Sequence, residues 1–192
     1  MASAAVGLNE DLFRALNGAG NPVLDPVMVA VSVLGMSVLT LGWAVPLWLA
    51  RRRREAIDLL VLLAVAEALV FVLKVAFAVP RPTIGTILAV PLDDVSDPAF
   101  PSGHATRAFA VALFLSLRTR DWRWGAPLFA YAALVAVSRV YVGVHWPSDV
   151  LAGALLGLAW AFEFGRLTRL PAYAARRDRL LERLAPRGRG SD

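Results

Sequence analysis

Residues 138–149 read SRVYVGVHWPSD and connect the end of one long apolar segment to the start of the next. The stretch places an arginine, a histidine and an aspartate, Arg139, His145 and Asp149, at the mouth of two otherwise apolar helices. Ionisable side chains at membrane depth are costly and usually mark a functional site. We therefore expect the rest of the chain to be organised around this connection.

Two earlier stretches, residues 74–82 and 101–104, have the same character. The first begins with Lys74, the single lysine of the chain, and the second ends with His104. His104 and His145 are the two histidines of the chain, so both fall within these stretches. We predict that the three stretches come together in one site.

The composition indicates a membrane protein. The chain has 192 residues, enough for one domain, and its hydrophobic content is 58%. Its mean hydropathy is +0.59, and the apolar residues run in long blocks rather than narrow stripes. The net charge of +5 does not indicate nucleic-acid binding, because the arginines lie at the ends of apolar segments and in the tail. The absence of cysteine excludes disulfides and thiol chemistry.

The hydrophobic pattern predicts an all-α integral membrane helical bundle of about five transmembrane helices, preceded by an N-terminal interfacial helix. We divide the chain into that interfacial segment, residues 1–25, a transmembrane domain, residues 26–165, and a basic tail, residues 166–192. The predicted spans cover residues 26–50, 56–79, 102–118, 126–144 and 149–164. The third span has a short apolar part, so its first turns must lie within protein or a polar cavity.

The basic residues predict the orientation of the bundle. Most of the 20 lysines and arginines fall on one predicted side, in the run at 51–54, in a hairpin at 118–123 and in the tail. The positive-inside rule places this side in the cytoplasm. We therefore expect a multi-pass plasma-membrane protein with a cytoplasmic C-terminus, and with its N-terminus and its site outside the cytoplasm.

The cations of the three stretches are suited to a phosphate group. Lys74, Arg81 and Arg139 would surround a common point, and the arginine fork matches phosphate oxygens in pairs. Ser102 is a natural N-cap for the third span, and the backbone N–H groups from Gly103 onward would form an anion site at a helix N-terminus. These residues predict a binding site for a phosphate dianion.

The two histidines add acid–base and nucleophilic chemistry. Asp149 lies one helical turn after His145, so its carboxylate could accept a hydrogen bond from one ring nitrogen and leave the other as an oriented nucleophile. His104 could protonate a leaving oxygen. The stretches hold no cluster of carboxylates for a metal, so we predict phosphoryl transfer without metal or cofactor, stabilised by the cations and the backbone.

At this point the chain resembles the type 2 phosphatidic acid phosphatase superfamily. Its three signature motifs are matched by KxxxxxxRP at 74–82, PSGH at 101–104 and SRxxxxxHxxxD at 138–149. The resemblance implies that His145 is a nucleophile forming a phosphohistidine, that Asp149 orients it, and that His104 is a general acid and later a base. It also implies five residues that hold the phosphate: Lys74, Arg81, Ser102, Gly103 and Arg139.

The predicted function is metal-independent hydrolysis of a membrane lipid phosphate or diphosphate. Small size and bare loops favour a polyprenyl diphosphate such as undecaprenyl diphosphate, a carrier lipid of cell-wall synthesis. The alternative is a phosphatidate or phosphatidylglycerophosphate phosphatase. One remote alternative is a vanadate-dependent haloperoxidase, which resembles the chain around the same residues, but such enzymes are soluble and larger. The other is a non-catalytic lipid or phosphate transporter, which would not need the complete His145–Asp149 pair.

Two further groups of charged residues lie outside the motifs. The loop before the third span carries Asp93, Asp94 and Asp97, which could bind calcium but which we interpret as a solvated acidic loop. Glu67, at mid-membrane, is interpreted as a protonated or hydrogen-bonded packing residue, with a proton relay as the alternative. Arg107 lies one turn after His104, and we expect it to add a cation to the phosphate pocket. Because side chains lean toward the N-terminus of their helix, Glu67 and Arg107 are expected to diverge.

Overall fold

The computed structural model describes residues 2–91, 96–119 and 122–184. Within these residues the chain is helical and has no strand. The described helices are α1 (Ala2–Asn17), α2 (Leu24–Leu34), α3 (Ser37–Leu41), α4 (Ala44–Leu49), α5 (Arg53–Phe77), α6 (Gly103–Thr119), α7 (Trp122–Tyr141), α8 (Pro147–Leu167) and α9 (Pro171–Leu184). Asp93 and Asp94 of the predicted acidic loop, Arg120 of the basic hairpin and residues 185–192 of the tail lie outside the described ranges.

The all-α membrane bundle is confirmed, while the number of spans stays a prediction. Among the described residues, α5 and α8 are each long and apolar enough to cross a membrane. A third span is possible if α2 and the α3–α4 segment, bent by 56° relative to each other, form one crossing. The remaining two predicted spans correspond to α6, which has 17 residues, and α7, which has 20.

Helix α6 occupies the centre of the bundle, where it packs against α5, α7 and α8. Its first turns are buried, and small residues such as Ala105 and Ala108 have no exposed surface. On the facing side of α8, a Cβ at Gly157 would collide with the carbonyl of Thr106, so the absence of a side chain permits the close approach. The prediction that the third span begins within protein is confirmed.

The first predicted span is not one straight helix. It breaks at Gly35 and Met36, between α2 and α3. A Cβ at Gly35 would lie 2.5 Å from Val135 Cγ1 on α7 and 2.9 Å from His104 Cδ2 on α6. Only glycine at position 35 therefore allows the break to pack this closely against both helices. The break also releases the Gly35 carbonyl from the helical ladder, and Arg107 uses that carbonyl as an acceptor.

The N-terminal helix is confirmed, and one face of it packs onto the bundle. Phe13 is fully buried, with its ring centroid 5.1 Å from that of Trp146. The Asn17 amide donates to the carbonyls of Thr86 and Tyr141, at 2.6 and 2.8 Å, and its oxygen accepts from the Thr86 N–H at 2.7 Å. Asn17 thereby ties the loop after α5 to the end of α7, on either side of the predicted site.

The opposite end of the bundle is held by a buried carboxylate, Asp58 of α5. It accepts from the Tyr173 hydroxyl at 2.9 Å and from Arg177 at 3.1 Å, both on α9, and from Arg118 of α6 at 3.3 Å. Within the predicted basic tail, residues 171–184 form α9, which folds back onto α5.

Candidate active site

The three predicted stretches converge on one cavity of about 300 Å³. Seven of the predicted site residues line it: Lys74, Arg81, Gly103, His104, Arg107, Arg139 and His145. The other two, Ser102 and Asp149, are buried beside it, and the Ser102 N–H donates to the Asp149 carbonyl at 3.0 Å. The structure thus brings all nine together, and the role of each stays a prediction.

His145 is held in the short connection between α7 and α8. The chain turns at Gly143, whose φ of +85° suits glycine, and a Cβ there would collide with the Thr86 carbonyl. After His145, the Trp146 N–H donates to Asp149 Oδ2 at 2.8 Å, which caps the start of α8. The backbone on both sides of His145 is therefore held in place.

The predicted orienting carboxylate, Asp149, faces His145, the predicted nucleophile. His145 Nδ1 lies 3.6 Å from Asp149 Oδ2, and both side chains are 2% exposed. This distance is longer than a hydrogen bond. Such contacts are often long in a free enzyme and shorten when substrate binds. Nδ1 is the ring nitrogen that faces the carboxylate, and attack through Nε2 stays a prediction.

Burial keeps His145 neutral. Its removal from water is the largest effect, and Arg139, Arg81 and Lys74 add to it, so the pKa of His145 lies well below its usual value. A hydrogen bond with the backbone of Ala99 acts in the opposite direction and does not outweigh them. A neutral imidazole retains the lone pair that a nucleophile needs.

The start of α6 presents two polar groups with no internal partner. Ser102 holds the N-cap position, with its carbonyl accepting from the Thr106 N–H at 3.0 Å. Within the described part of the chain, its buried hydroxyl makes no hydrogen bond, so the predicted side-chain cap is not formed. His104 Nε2 is likewise buried and without a hydrogen-bond partner among the described residues. Buried polar groups are rarely left unsatisfied, so both atoms are suited to a polar ligand.

Arg139 is held from a helix that the sequence motifs do not include. Its side chain is 1% exposed, and its Nη1 donates to the hydroxyl of Ser32 at 2.6 Å. Ser32 is fully buried on α2, which packs against α7. Sequence reasoning missed Ser32, and the available signal was a single hydroxyl among the apolar residues 26–34 of α2.

Asp97 forms ion pairs with two predicted phosphate-binding cations, Lys74 and Arg81. Arg81 also donates to the Asp97 carbonyl at 3.0 Å and to the Val144 carbonyl at 2.9 Å. Partial burial raises the pKa of Asp97, but the hydrogen bonds from Lys74 and Arg81 outweigh burial and hold this pKa below its usual value. The carboxylate therefore sits, charged, where we expect a phosphate.

The interpretation of Asp97 as part of a solvated acidic loop is wrong. Its side chain is 44% exposed, but both of its partners are largely buried, at 12% and 13% exposed. The physical reason is local neutralisation, because two largely buried cations attract the nearest carboxylate. Asp93 and Asp94 lie outside the described residues.

The expectation that Glu67 and Arg107 diverge is also wrong. Arg107 Nη1 lies 2.6 Å from Glu67 Oε1, and the same oxygen accepts from the Ser37 hydroxyl at 2.5 Å. The expectation considered only the lean of each side chain along its own helix. It omitted the carbonyl released at Gly35, which accepts from Arg107 at 3.2 Å and draws the long side chain toward α2, α3 and α5. The interpretation of Glu67 as a hydrogen-bonded residue is confirmed.

The cavity remains cationic despite these pairs. Among its described lining residues, four cationic side chains outnumber the two carboxylates, Asp97 and Glu67. In the described part of the chain, no three His, Asp or Glu side chains group together in a way that could hold a metal ion. Metal independence itself stays a prediction.

Comparison with known proteins identifies similar sequences and structures. The profile of the PAP2 superfamily matches residues 55–170. An undecaprenyl-diphosphatase of Sulfolobus acidocaldarius is 36% identical over 156 residues, which cover 79% of this chain and 74% of that protein.

Two crystal structures are similar over most of the chain. LpxE of Aquifex aeolicus is 33% identical with a TM-score of 0.74, covering 83% of this chain and 95% of that one. A transmembrane PAP2-type phosphatidylglycerolphosphate phosphatase of Bacillus subtilis is 28% identical with the same TM-score, covering 85% and 86%.

Proposed function

The chain belongs to the PAP2 superfamily of phosphatases, and on that premise we propose that it hydrolyses a polyprenyl diphosphate through a phosphohistidine on His145, without a metal ion. The products are the polyprenyl monophosphate and inorganic phosphate. The membrane supplies the substrate, and the helical bundle holds its phosphate end in the cationic cavity.

One observation carries the proposal. A buried, neutral His145 with a carboxylate beside Nδ1 lies in the same cavity as four cationic side chains and the unpartnered Nε2 of His104. The cations stabilise the charge on the transferred phosphoryl group, and the carboxylate stabilises the imidazole as positive charge develops on it.

The reaction runs in two displacements at the same phosphorus. In the first, His145 Nε2 forms a bond to the terminal phosphorus as the bond to the bridging oxygen breaks, and the electron pair leaves with the lipid monophosphate. In the second, a water oxygen attacks that phosphorus, the P–N bond breaks, and its electron pair returns to His145. By family resemblance, His104 exchanges protons with the leaving oxygen and with the attacking water.

The substrate assignment rests on similarity to an undecaprenyl-diphosphatase at 36% identity. A phosphatidylglycerophosphate phosphatase is the second candidate, favoured by the structural neighbour of that activity with a TM-score of 0.74. Both substrates are lipid phosphates, and they differ in the group that leaves. One releases a lipid monophosphate and the other releases an alcohol.

We also propose that the cavity faces the outside of the cytoplasmic membrane. The four consecutive arginines at 51–54 lie at the N-terminal end of α5, whereas Lys74 lies near the C-terminal end of that helix. At 1.5 Å per residue, the run and the site are separated by about 30 Å, the thickness of a bilayer core. The positive-inside rule assigns the basic end to the cytoplasm.

The test is release of inorganic phosphate from purified protein in detergent. Undecaprenyl diphosphate, phosphatidylglycerophosphate and phosphatidate should be compared at equal concentration, with His145→Gln as the inactive control. We expect the highest kcat/KM for the diphosphate. A higher kcat/KM for phosphatidylglycerophosphate would establish the second candidate, and hydrolysis that persists in His145→Gln would overturn the nucleophile.

A further inference from the structure

A second cavity, of about 710 Å³, lies at the opposite end of the bundle from the candidate active site. It is lined from the N-terminal end of α5, at Arg54, and from the C-terminal ends of α6 and α8, at Arg118 and Gly165. The active-site cavity is lined instead from the C-terminal end of α5, at Lys74, and from the start of α6. The two cavities therefore lie near opposite surfaces of the membrane.

The second cavity carries an excess of positive charge. It is lined by four arginines: Arg54, Arg118, Arg169 and Arg177. Two carboxylates, Asp58 and Asp178, pair with three of these arginines. The fourth, Arg169, is exposed, and its side chain forms no hydrogen bond or ion pair with the other described residues. Glu55, the one carboxylate among the described lining residues, is paired with Arg52 outside the cavity, so positive charge remains for an anion.

The deeper part of this cavity is apolar. Phe114 and Ala161 line it, and they lie one helical turn further into the bundle than Arg118 and Gly165. Both are almost fully buried, and the Arg118 guanidinium lies 4.8 Å from the centre of the Phe114 ring. Leu117, which also lines the cavity, is 51% exposed. A ligand that matches both parts has an anionic head group and apolar chains, as a phospholipid does.

The cavity is bordered by a glycine that packing does not require. Elsewhere on α8, a Cβ at Gly153 would lie 2.5 Å from the Ser102 carbonyl oxygen, and a Cβ at Gly157 would lie 2.2 Å from the Thr106 carbonyl oxygen. A Cβ at Gly165 would meet no atom within 4 Å, although Gly165 lines the cavity. Glycine weakens a helix relative to alanine. Gly165 therefore leaves open a space that no part of the described chain fills.

We propose that this cavity binds the phosphate head group of an anionic phospholipid in the membrane leaflet opposite the active site. With the orientation proposed above, that is the cytoplasmic leaflet. Phosphate oxygens accept from the arginines, whose fork matches them in pairs, and the acyl chains lie along the apolar part of the cavity. Basic pockets between transmembrane helices on the cytoplasmic side bind anionic lipid head groups by the same chemistry. The proposal concerns binding alone and does not depend on which lipid the active site hydrolyses.

A bound lipid connects separate elements of the fold. Arg54 belongs to α5, Arg118 to α6 and Arg177 to α9, while Arg169 lies in the connection between α8 and α9. Mutual repulsion opposes the approach of these cations, and a phosphate group between them relieves it. Because only the folded chain gathers the four arginines, binding should raise the unfolding temperature by mass action.

Thermal unfolding of the purified chain in a neutral detergent tests the proposal. Increasing amounts of anionic phosphatidylglycerol are compared with zwitterionic phosphatidylcholine and with glycerol 3-phosphate, a soluble phosphate without acyl chains. The active site also attracts phosphates, so variants separate the two cavities. Gly165→Leu fills the second cavity without removing a charge, and Arg169→Gln removes its unpaired cation without breaking a described contact. Arg183→Gln is the matched control, since it removes an exposed arginine of α9 that does not line the cavity.

We expect phosphatidylglycerol to give a saturable increase in the unfolding temperature of the unmodified chain. Gly165→Leu should lose most of this increase. Arg169→Gln should need about fivefold more phosphatidylglycerol for half of the increase, the upper end of what an exposed ion pair contributes. Arg183→Gln should behave like the unmodified chain.

Three results would overturn the proposal. An equal increase in the unmodified chain and Gly165→Leu would show that the lipid does not bind in this cavity. Equal losses in Arg169→Gln and Arg183→Gln would show a general response to surface charge, and this comparison decides the question even if Gly165→Leu fails to fold. A similar Gly165-dependent increase with phosphatidylcholine or glycerol 3-phosphate would show a site for any lipid or for a free anion. Turnover is not measured, so failure of the proposed function would produce none of these results.

Discussion

Asp97 is expected to compete with the substrate for its own binding site. It pairs with Lys74 and Arg81, two of the cations predicted to hold the phosphate. A phosphate that reaches both cations must first displace this carboxylate. Asp97→Asn keeps the size of the side chain and removes its charge, so binding of phosphate and of vanadate should become tighter, and KM for the lipid should fall.

The magnitude follows from the two ion pairs. A hydrogen bond to a charged group contributes about 1.5 to 3 kcal/mol when buried. The 44% exposure of Asp97 reduces this toward the value of less than about 1 kcal/mol that is typical of surface pairs. Two such partly screened contacts contribute about 1.4 kcal/mol together, which corresponds to about a tenfold decrease in the inhibition constant.

The assay is competitive inhibition by vanadate and by inorganic phosphate in detergent. Vanadate mimics the trigonal-bipyramidal transition state and should show the larger effect. Asp178→Asn is the matched control, because Asp178 also pairs with two basic residues, Arg54 and Arg177, but at the far end of the bundle. Since the pKa of Asp97 is lowered, the difference between the native chain and Asp97→Asn should persist at pH 5. Weaker inhibition of Asp97→Asn would show that Asp97 organises the cations instead of competing with phosphate.

Three further predictions concern stability, protonation and topology. Asn17→Ala should lower the free energy of unfolding by about 2 kcal/mol, because it leaves the buried Tyr141 carbonyl and two partly buried backbone groups of Thr86 unpaired, and thermal unfolding in detergent would show this. The pKa of His145 measured by NMR should lie below the usual histidine value of about 6.5. Because the unfolded chain then binds more protons than the folded chain, the free energy of unfolding should decrease as pH falls below about 6.5. An NMR titration midpoint at or above about pH 6.5 would contradict the described burial. In this cysteine-free chain, Ile87→Cys should react with an impermeant thiol reagent added outside intact cells and Arg179→Cys should not, while the reverse labelling would place the site in the cytoplasm.

The spaced motifs were sufficient to predict which residues gather in the cavity. Each motif lies at a helix end, and alternating spans bring those ends to one side of a bundle. The sequence also predicted that α6 begins within protein, because the apolar part of the third span is short. Such predictions depend on position along the chain and on the cost of burying charge, which can both be read from one sequence.

The contacts that complete the site depend on geometry that the sequence does not encode locally. The break at Gly35 lies where the chain packs closely against α6 and α7, and the freed Gly35 carbonyl accepts hydrogen bonds from Arg107. Asp97 looked like an ordinary loop carboxylate because its partners are distant in sequence. Ser32 and Asn17 are individual side chains that form hydrogen bonds across the bundle, and such contacts leave no periodic signal in the sequence.

The central claim is a metal-free phosphohistidine on His145, and rapid quenching tests it most directly. The chain is treated with EDTA, mixed with polyprenyl diphosphate labelled on its terminal phosphate, quenched in alkali within one turnover, and digested for mass spectrometry. The proposed mechanism predicts alkali-stable, acid-labile phosphate on the peptide containing His145 and none in His145→Gln. A label on another residue, turnover without any covalent label, or activity that EDTA abolishes and a divalent ion restores would contradict it.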